Sequence, residues 1–377
     1  MSVVANVKAR FQPRVSSQAI GPIGIDFGLE AMHLVQLEAA SGQPPRVRAR
    51  ASIPYDSRRE MLQSPHQFRA LVRRALDADR FYKRKAVVAM PSGMFRTVSI
   101  NYQATGGKES EAAAILKVMK DRLDGDLADY VLDYLPVNNR SKNDERLALV
   151  AVSERQPVVD FLELARKAKL DVQALEIGPV AISRLVGELS TASGSQNVLV
   201  INSGRRASYL TLISGTDLLF DQEVTFGENG LIRQAAEILD MPEDMARDLV
   251  LRSGVQPAGR DAGAIISDEE TGLINTVTEI LKPQFLKLVE EIKRVCLYAA
   301  AETRGGSVSQ IFLLGSIAHW PGSDTLLSSL TGSEVAKIPD PLALFPQADG
   351  SDATVGNAAP EIVVATGAAL RGMRDNV

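Results

Sequence analysis

Apolar residues between Ile23 and Leu37 fall into two short runs separated by Asp26-Phe27-Gly28. Ile23 and Ile25 read as a buried strand, and the run 32–37 as its partner across a tight turn. From Arg46 to Ile53 the pattern becomes strict alternation: Val47, Ala49, Ala51 and Ile53 interleave with Arg46, Arg48, Arg50 and Ser52. One face of that strand is expected to be buried and the other solvated. Ser64-Pro65 then supplies an N-cap and a first-turn proline. The helix they open has Phe68, Leu71, Val72, Ala75 and Leu76 on its apolar face. The run 86–90 predicts another strand, so the chain begins β-β-β-α-β.

Residues 86–170 predict a small inserted α/β subdomain with strands at 95–100, 130–137 and 147–152 and a helix over 111–123. A polar loop is expected at 138–145. Ser153-Glu154-Arg155-Gln156 has the spacing of a capping box, opening a helix with Val158, Phe161, Leu162 and Ala165 on one face. Arg166, Lys167 and Lys169 then suit the negative end of that helix dipole. A strand at 172–177 and a helix at 179–189 follow, and the Ser/Thr/Gly-rich stretch 190–196 reads as a linker.

Directly after it, VLVINSGRRASYLTLI (198–213) repeats the pattern of residues 22–37: strand, polar-x-Gly turn, strand. Asn202-Ser203-Gly204 stands where Asp26-Phe27-Gly28 stood. A further strand at 218–224 completes a second meander. Helices are expected at 231–239, 243–252 and 275–304, the last kinked or broken at Pro283. A strand at 310–314 ends in Gly315, and a helix at 361–371 closes the pattern. Two related halves, each opening on a hairpin with a polar-x-Gly tip, predict a two-lobed molecule with a cleft between the tips. Carboxylates and bare backbone N–H groups at such tips suit a phosphate chain and magnesium.

Composition narrows the chemistry. The 377 residues are 45% hydrophobic and 23% charged with a net charge of -4, which disfavours wholesale nucleic-acid binding. One cysteine, Cys296, excludes an intrachain disulfide, and three histidines (His33, His66, His319) cannot build a usual zinc site with it. Too few histidines also leave no nucleophilic triad. No run is long and apolar enough for a membrane span. Residues 1–20, with Lys8, Arg10 and Arg14 and no acid, are expected to be a flexible basic arm. Trp320, before Pro321-Gly322, is read first as a packing residue and second as a base-stacking one.

The order of IGIDFG (23–28), VVAMPS (87–92), LALVAVSERQPVVDFLELARKAKLDVQALEIGP (147–179), VLVINSG (198–204), FGENGL (226–231), IFLLGSIAHWPG (311–322) and VVATGAALR (363–371) resembles the actin-like ATPase superfamily. Within it, the chain is similar to the PilM branch, related to FtsA, over residues 21–373. The resemblance implies an actin-like, ribonuclease H-like fold with a duplicated β-β-β-α-β core and an inserted subdomain. It divides the chain into an arm (1–20), a first lobe (21–85, returning at 171–196 with the hinge), an insert (86–170), a second lobe (197–360, with a helical subdomain at 227–305) and a hinge helix with C-terminus (361–377).

It further implies a first phosphate loop at Asp26, Phe27, Gly28, Leu29 and Glu30, with Asp26 orienting magnesium-bound water. The second loop would be Asn202, Ser203, Gly204 and Arg205. Gly315 and Ser316 would meet the adenosine, and Gly227 would bring backbone near the nucleotide. Several positions depart from the family pattern. His33 stands for a lysine, Asn202 for an aspartate and Leu314 for a glycine, and Glu176 is separated from Pro179 by Ile177 and Gly178. The resemblance implies ATP and magnesium as ligands; the departures at His33, Asn202 and Leu314 weaken that site and leave at most weak hydrolysis. The implied role is a cytoplasmic scaffold of type IV pilus or related secretion assembly, peripheral to the inner membrane. Its implied partner is the cytoplasmic N-terminal tail of a bitopic, PilN-like membrane protein, held in a groove against the insert. A sugar-kinase-type phosphotransferase and an FtsA-like division protein are the alternatives. The first needs a catalytic carboxylate, and the second an amphipathic tail beyond Arg371.

Overall fold

The computed structural model describes residues 19–28, 31–40, 43–103, 108–137, 145–189, 197–215, 217–257, 268–303, 305–338, 341–346 and 362–374. Residues 1–18 of the expected basic arm and the linker lie outside these residues, while 19 and 20 already belong to the first strand; most of the polar loop after 137 and the site candidates Leu29 and Glu30 lie outside as well.

Strands β1 (Ala19–Phe27), β2 (Ala31–Ala39) and β3 (Arg46–Pro54) form the expected antiparallel meander. Two helices follow rather than one: a single-turn α1 (Arg58–Gln63), too short to leave a periodic signal, and α2 (Pro65–Leu76). Ser64 caps α2 as its sequence predicts, its Oγ accepting from Gln67 N at 3.3 Å. Strand β4 (Lys85–Ala89) then pairs parallel to β1, with Asp26 opposite Ala89.

Strands β5 (Arg96–Gln103), β6 (Tyr130–Val137) and β7 (Glu145–Glu154) make a separate sheet of order β5-β7-β6, beside which lies α3 (Lys108–Lys120). Ile100, Tyr102, Ile115, Met119 and Val150 share its small core. The insert is therefore narrower than residues 86–170, because β4 belongs to the first sheet. Helix α4 (Arg155–Lys167) joins the insert to the first lobe, its Arg155 donating to Ala128 O and Tyr130 O of the insert at 2.6 and 3.2 Å. Its Phe161 packs edge-on against Phe27 and Phe68 of the first lobe, at 5.6 and 6.4 Å between ring centres. The capping box is not formed. Ser153 is still in β7 and its Oγ donates to Met94 O at 2.6 Å, so Glu154 starts the helix without a side-chain cap. A strand's tertiary partner outcompeted a local motif. Lys169, expected at the helix end, lies past it in the left-handed region at φ 62°.

β8 (Asp171–Glu176) joins β4 in parallel, giving the order β3-β2-β1-β4-β8, and α5 (Gly178–Leu189) leads to the second lobe. There β9 (Asn197–Ser203), β10 (Ser208–Ser214) and β11 (Asp217–Val224) repeat the meander. Helices α6 (Glu228–Leu239), α7 (Glu243–Ser253) and α8 (Asp268–Glu302) form the helical part. Pro283 does not break α8, which runs through it. Cys296 is half-buried against the core. Strand β12 (Val308–Gly315), α9 (Ser323–Thr331) and β13 (Val335–Lys337) complete the lobe, and α10 (Val363–Arg374) is the last described helix. The second sheet has the order β11-β10-β9-β12-β13, the same pattern as the first. The duplication seen in the two turn motifs extends to whole sheets.

Helices α5 and α10 lie in the core shared by both lobes, with Ala181, Ile182, Val363 and Ala365 among residues from β2, β9 and β12. Their crossing depends on Gly367, where an added Cβ would stand 2.0 Å from Ala181 O. Gly24 admits α10 onto β1 in the same way, 2.0 Å from Ala365 O. A backbone approach this close leaves room for no side chain.

Candidate functional site

The tips of the two hairpins face one cleft. Asp26, Phe27 and Gly28 line it from the first lobe, and Asn202, Ser203, Gly204 and Arg205 from the second. In this conformation the cleft is about 130 Å³, smaller than the several hundred Å³ typical of small-molecule sites.

The second tip is held from behind. The first N–H groups of α6, on Glu228 and Asn229, donate to Gly204 O and Arg205 O at 3.1 and 2.8 Å. That helix N-terminus is thus spent on the loop and not offered to an anion. Gly227 has the same role: its Cβ would lie 2.5 Å from the carbonyl carbon of Arg206. Ser203 turns its hydroxyl inward, donating to Leu314 O at 2.7 Å and accepting from Ile317 N at 2.9 Å. Ser316 Oγ donates to Ser203 O, and Gly315, at φ 84°, backs directly onto the same carbonyl. Gly227, Gly315 and Ser316 therefore brace the second loop and are outside the cleft lining. Leu314 packs in the shared core and is not among the residues lining the cleft.

His33 is not at the cleft surface either. It is 1% exposed on β2, opposite Asp26, with Nδ1 2.9 Å from Ser52 Oγ, and it packs under Gly28. The cleft instead draws cations from residues that the motif pattern did not single out or left open. Arg58 of α1 reaches Phe27 O at 3.3 Å, Ser92 Oγ at 3.0 Å and Ser92 O at 2.7 Å, and it lines the cleft. Arg205 lines it from the other side and lies 3.6 Å from Glu228. Trp320 has the packing role: it is fully buried, and its Nε1 donates to Glu228 at 3.1 Å.

Asp221 and Tyr209 also line the cleft. Thr211 Oγ1 donates to Asp221 Oδ1 at 2.6 Å, and Thr97 of the insert donates to the Asp221 carbonyl at 3.2 Å. Burial pushes the Asp221 carboxyl up to about 7, against the Thr211 hydrogen bond and with help from Glu223. Burial likewise lifts Tyr209 to about 12. The sign of the consequence is fixed. A raised folded-state pKa means that Asp221 favours folding below about pH 4 and that this contribution is lost as pH rises through about 7. Each pKa unit corresponds to about 1.4 kcal/mol. Solvent at the partly open cleft discounts the total, leaving on the order of 2 kcal/mol. The variant Asp221→Asn is expected to be more stable than the parent at pH 8 and to lose that advantage near pH 4. Urea unfolding of both proteins across this range checks it; a constant difference would contradict it.

A second cavity of about 390 Å³ lies between the insert and the first lobe, sharing Met90 and Phe95 with the cleft. Val131, Leu135, Leu149, Val152 and Val158 give it apolar walls. Strand β6, the edge of the small sheet, forms one rim, and its Val131 and Leu135 are exposed. The floor is ionic: Arg184 grips Glu176 in a fork at 3.0 and 2.9 Å, and Arg371 of α10 approaches it at 3.3 Å. Glu176, named above for its separation from Pro179, is therefore buried against two arginines at the end of β8.

The structure matches a solved chain described as the PilM-PilN type IV pilus biogenesis complex with a TM-score of 0.71 and 20% identity, covering 96% of this chain and 99% of that one. MreB 5 of Spiroplasma citri bound to AMPPNP matches at a TM-score of 0.49 and 12% identity, over 94% of this chain and 97% of that one. The ethanolamine utilization protein EutJ from Carboxydothermus hydrogenoformans matches at 0.47 and 15%, over 92% and 89%. No curated protein is similar to the chain in sequence. The two-lobed actin-like fold expected from the duplicated hairpins is the observed one. The family model for the type IV pilus assembly protein PilM matches residues 24–256, more than half of the chain, and the chain belongs to that family.

Proposed function

We propose that this chain is a scaffold of type IV pilus assembly, working at the cytoplasmic face of the inner membrane. On this reading it holds the N-terminal tail of a bitopic, PilN-like partner in the groove between insert and first lobe. The observation that carries it is the groove itself: apolar walls, an ionic floor and an edge strand along one rim. An extended segment can pair with such an edge while its side chains enter the apolar slot.

The inter-lobe cleft has the residue types for a phosphate chain. Gly28 and Gly204 present backbone, Arg58 and Arg205 bring positive charge, and Asp26 is the carboxylate on the first tip that would face a magnesium shell. Opposite it stands Asn202, neutral where a second carboxylate would help hold the metal. ATP bound here would act as a conformational ligand, favouring whichever lobe arrangement it fits. The supplied chemistry is charge and shape, with slow turnover at most.

The test is titration calorimetry with a synthetic tail peptide from a PilN-like protein, with and without Mg-ATP. The parent chain is expected to bind the peptide. Val131→Lys combined with Leu135→Lys is expected to weaken it at least tenfold, since each lost apolar contact is worth about 1–2 kcal/mol. Both positions are exposed, so the fold survives the change. Rapid ATP turnover dependent on a small-molecule acceptor, without peptide binding, would sink the scaffold reading.

A further inference from the structure

Charge along the chain is strongly polarised. Residues 46–85 carry twelve Arg and Lys against four Asp and Glu, in a chain whose net charge is -4. The rest of the chain is accordingly acidic on balance, and the first lobe holds its most basic long stretch.

Apart from Arg58, which lines the cleft, the fold brings much of that stretch onto one outer surface. Strand β3 is the edge of the first sheet, and α2 packs beside it, with Arg74 Nη2 donating to Pro54 O at 2.8 Å. A shallow depression between them is lined by His66, Arg69, Arg73 and Arg74, with Asp77 as the single acid. The loop from α2 to β4 continues the surface, tied to β3 by Arg50 N donating to Asp79 at 2.9 Å. In that loop Tyr82 is 45% exposed and lies between two cations, with Arg48 5.6 Å and Lys83 5.1 Å from its ring centre. Internal acids neutralise little of this charge. Glu38 takes Arg46 and Arg48, and Asp77 lies 3.6 Å from Arg73 in an exposed pair. Arg69, Arg80, Lys83, Arg84 and Lys85 form no ion pair with any described residue.

We infer that this face, formed by β3, α2 and the loop to β4, docks on anionic lipid headgroups. Charge complementarity selects that occupant. A planar anionic surface attracts the basic face and repels the acidic remainder, so the molecule's own polarity orients it. An exposed tyrosine flanked by cations suits the headgroup level, where an aromatic ring keeps one side apolar and its hydroxyl wet. Docking through this face is independent of the tail groove and requires no nucleotide.

The experiment is sedimentation of the full chain with vesicles, without any partner peptide. One set is phosphatidylcholine alone and the other contains about one third phosphatidylglycerol. Binding is expected to the anionic vesicles only and to fall as salt is raised. Each basic side chain near such a surface contributes about fivefold in partitioning, so Arg69→Gln, Arg73→Gln and Arg84→Gln together lower it roughly a hundredfold. Neutralising Lys287, Lys293 and Arg294 on α8, an equal loss of charge on the other lobe, is expected to leave it unchanged. Neutralising Lys8, Arg10 and Arg14 keeps most of the binding if the face is the site. Melting curves confirm that each variant folds. The proposal is overturned by equal binding to neutral vesicles, by equal losses in the two charge-matched variants, by loss confined to the arm variant, or by preference for a DNA duplex over anionic vesicles. A chain that binds vesicles but not the tail peptide would separate this proposal from the scaffold reading.

Discussion

Replacing Glu176 by alanine is expected to destabilise the chain by about 3–5 kcal/mol, the usual cost of removing one partner from a buried ion pair. The Glu176 side chain is 3% exposed and accepts both prongs of the Arg184 fork. Without it, Arg184 of α5 loses both prongs of its fork while the Arg371 guanidinium of α10 stands nearby. Arg184 retains its bond to Gly367 O at 2.6 Å, which holds the cation in place and prevents it from escaping to solvent. Arg371, 37% exposed, can turn outward. Arg371→Met is therefore expected to cost much less, under about 1 kcal/mol. Urea unfolding ranks the variants; equal losses for Glu176→Ala and Arg371→Met would show that the triad is not organised around the buried carboxylate. Because the triad is also the groove floor, Glu176→Ala is expected to weaken tail-peptide binding as well.

Trp320→Ala is expected to cost about 3–5 kcal/mol, through a cavity and a broken hydrogen bond together. The indole is fully enclosed and meets Phe285 of α8 edge-on at 6.5 Å. Its Nε1 donates to Glu228, which also takes Arg247 at 2.6 Å and Arg205 at 3.6 Å. Trp320→Phe separates the two terms, keeping most of the volume while losing the donor. It should cost about 1–2 kcal/mol. The larger variant effect extends to function, since Glu228 N holds Gly204 O and so sets the second tip. Chemical unfolding measures both variants. A Trp320→Ala cost below that of Trp320→Phe would contradict the packing role.

These two residues show where sequence reading stops. Glu176 was visible only as an acid displaced from its usual neighbour, because its partners Arg184 and Arg371 lie 8 and 195 positions away. Trp320 was correctly assigned to packing, yet its bond to a residue 92 positions earlier has no local signal. Asp221 could have been noticed as the acid that directly follows the apolar run Leu218-Leu219-Phe220. That it faces the cleft beside Tyr209 required the register pairing Thr211 with Asp221.

Local physics was enough for the elements. Period-two alternation at 46–53, the Ser64-Pro65 cap and the buried runs at 86–90 and 198–203 act through neighbours within a few residues. The repeated polar-x-Gly hairpin then determined the duplication, because the same local pattern forms the same local structure twice. Tertiary structure alone decided which candidates meet. Asp26, Gly28, Asn202, Gly204 and Arg205 do, joined by Arg58. His33, Gly227, Gly315 and Ser316 support the tips from behind. The physical reason is directional. A strand's side chains alternate between faces and a loop carbonyl can be claimed by a distant helix, and neither choice is written in the spacing of a motif.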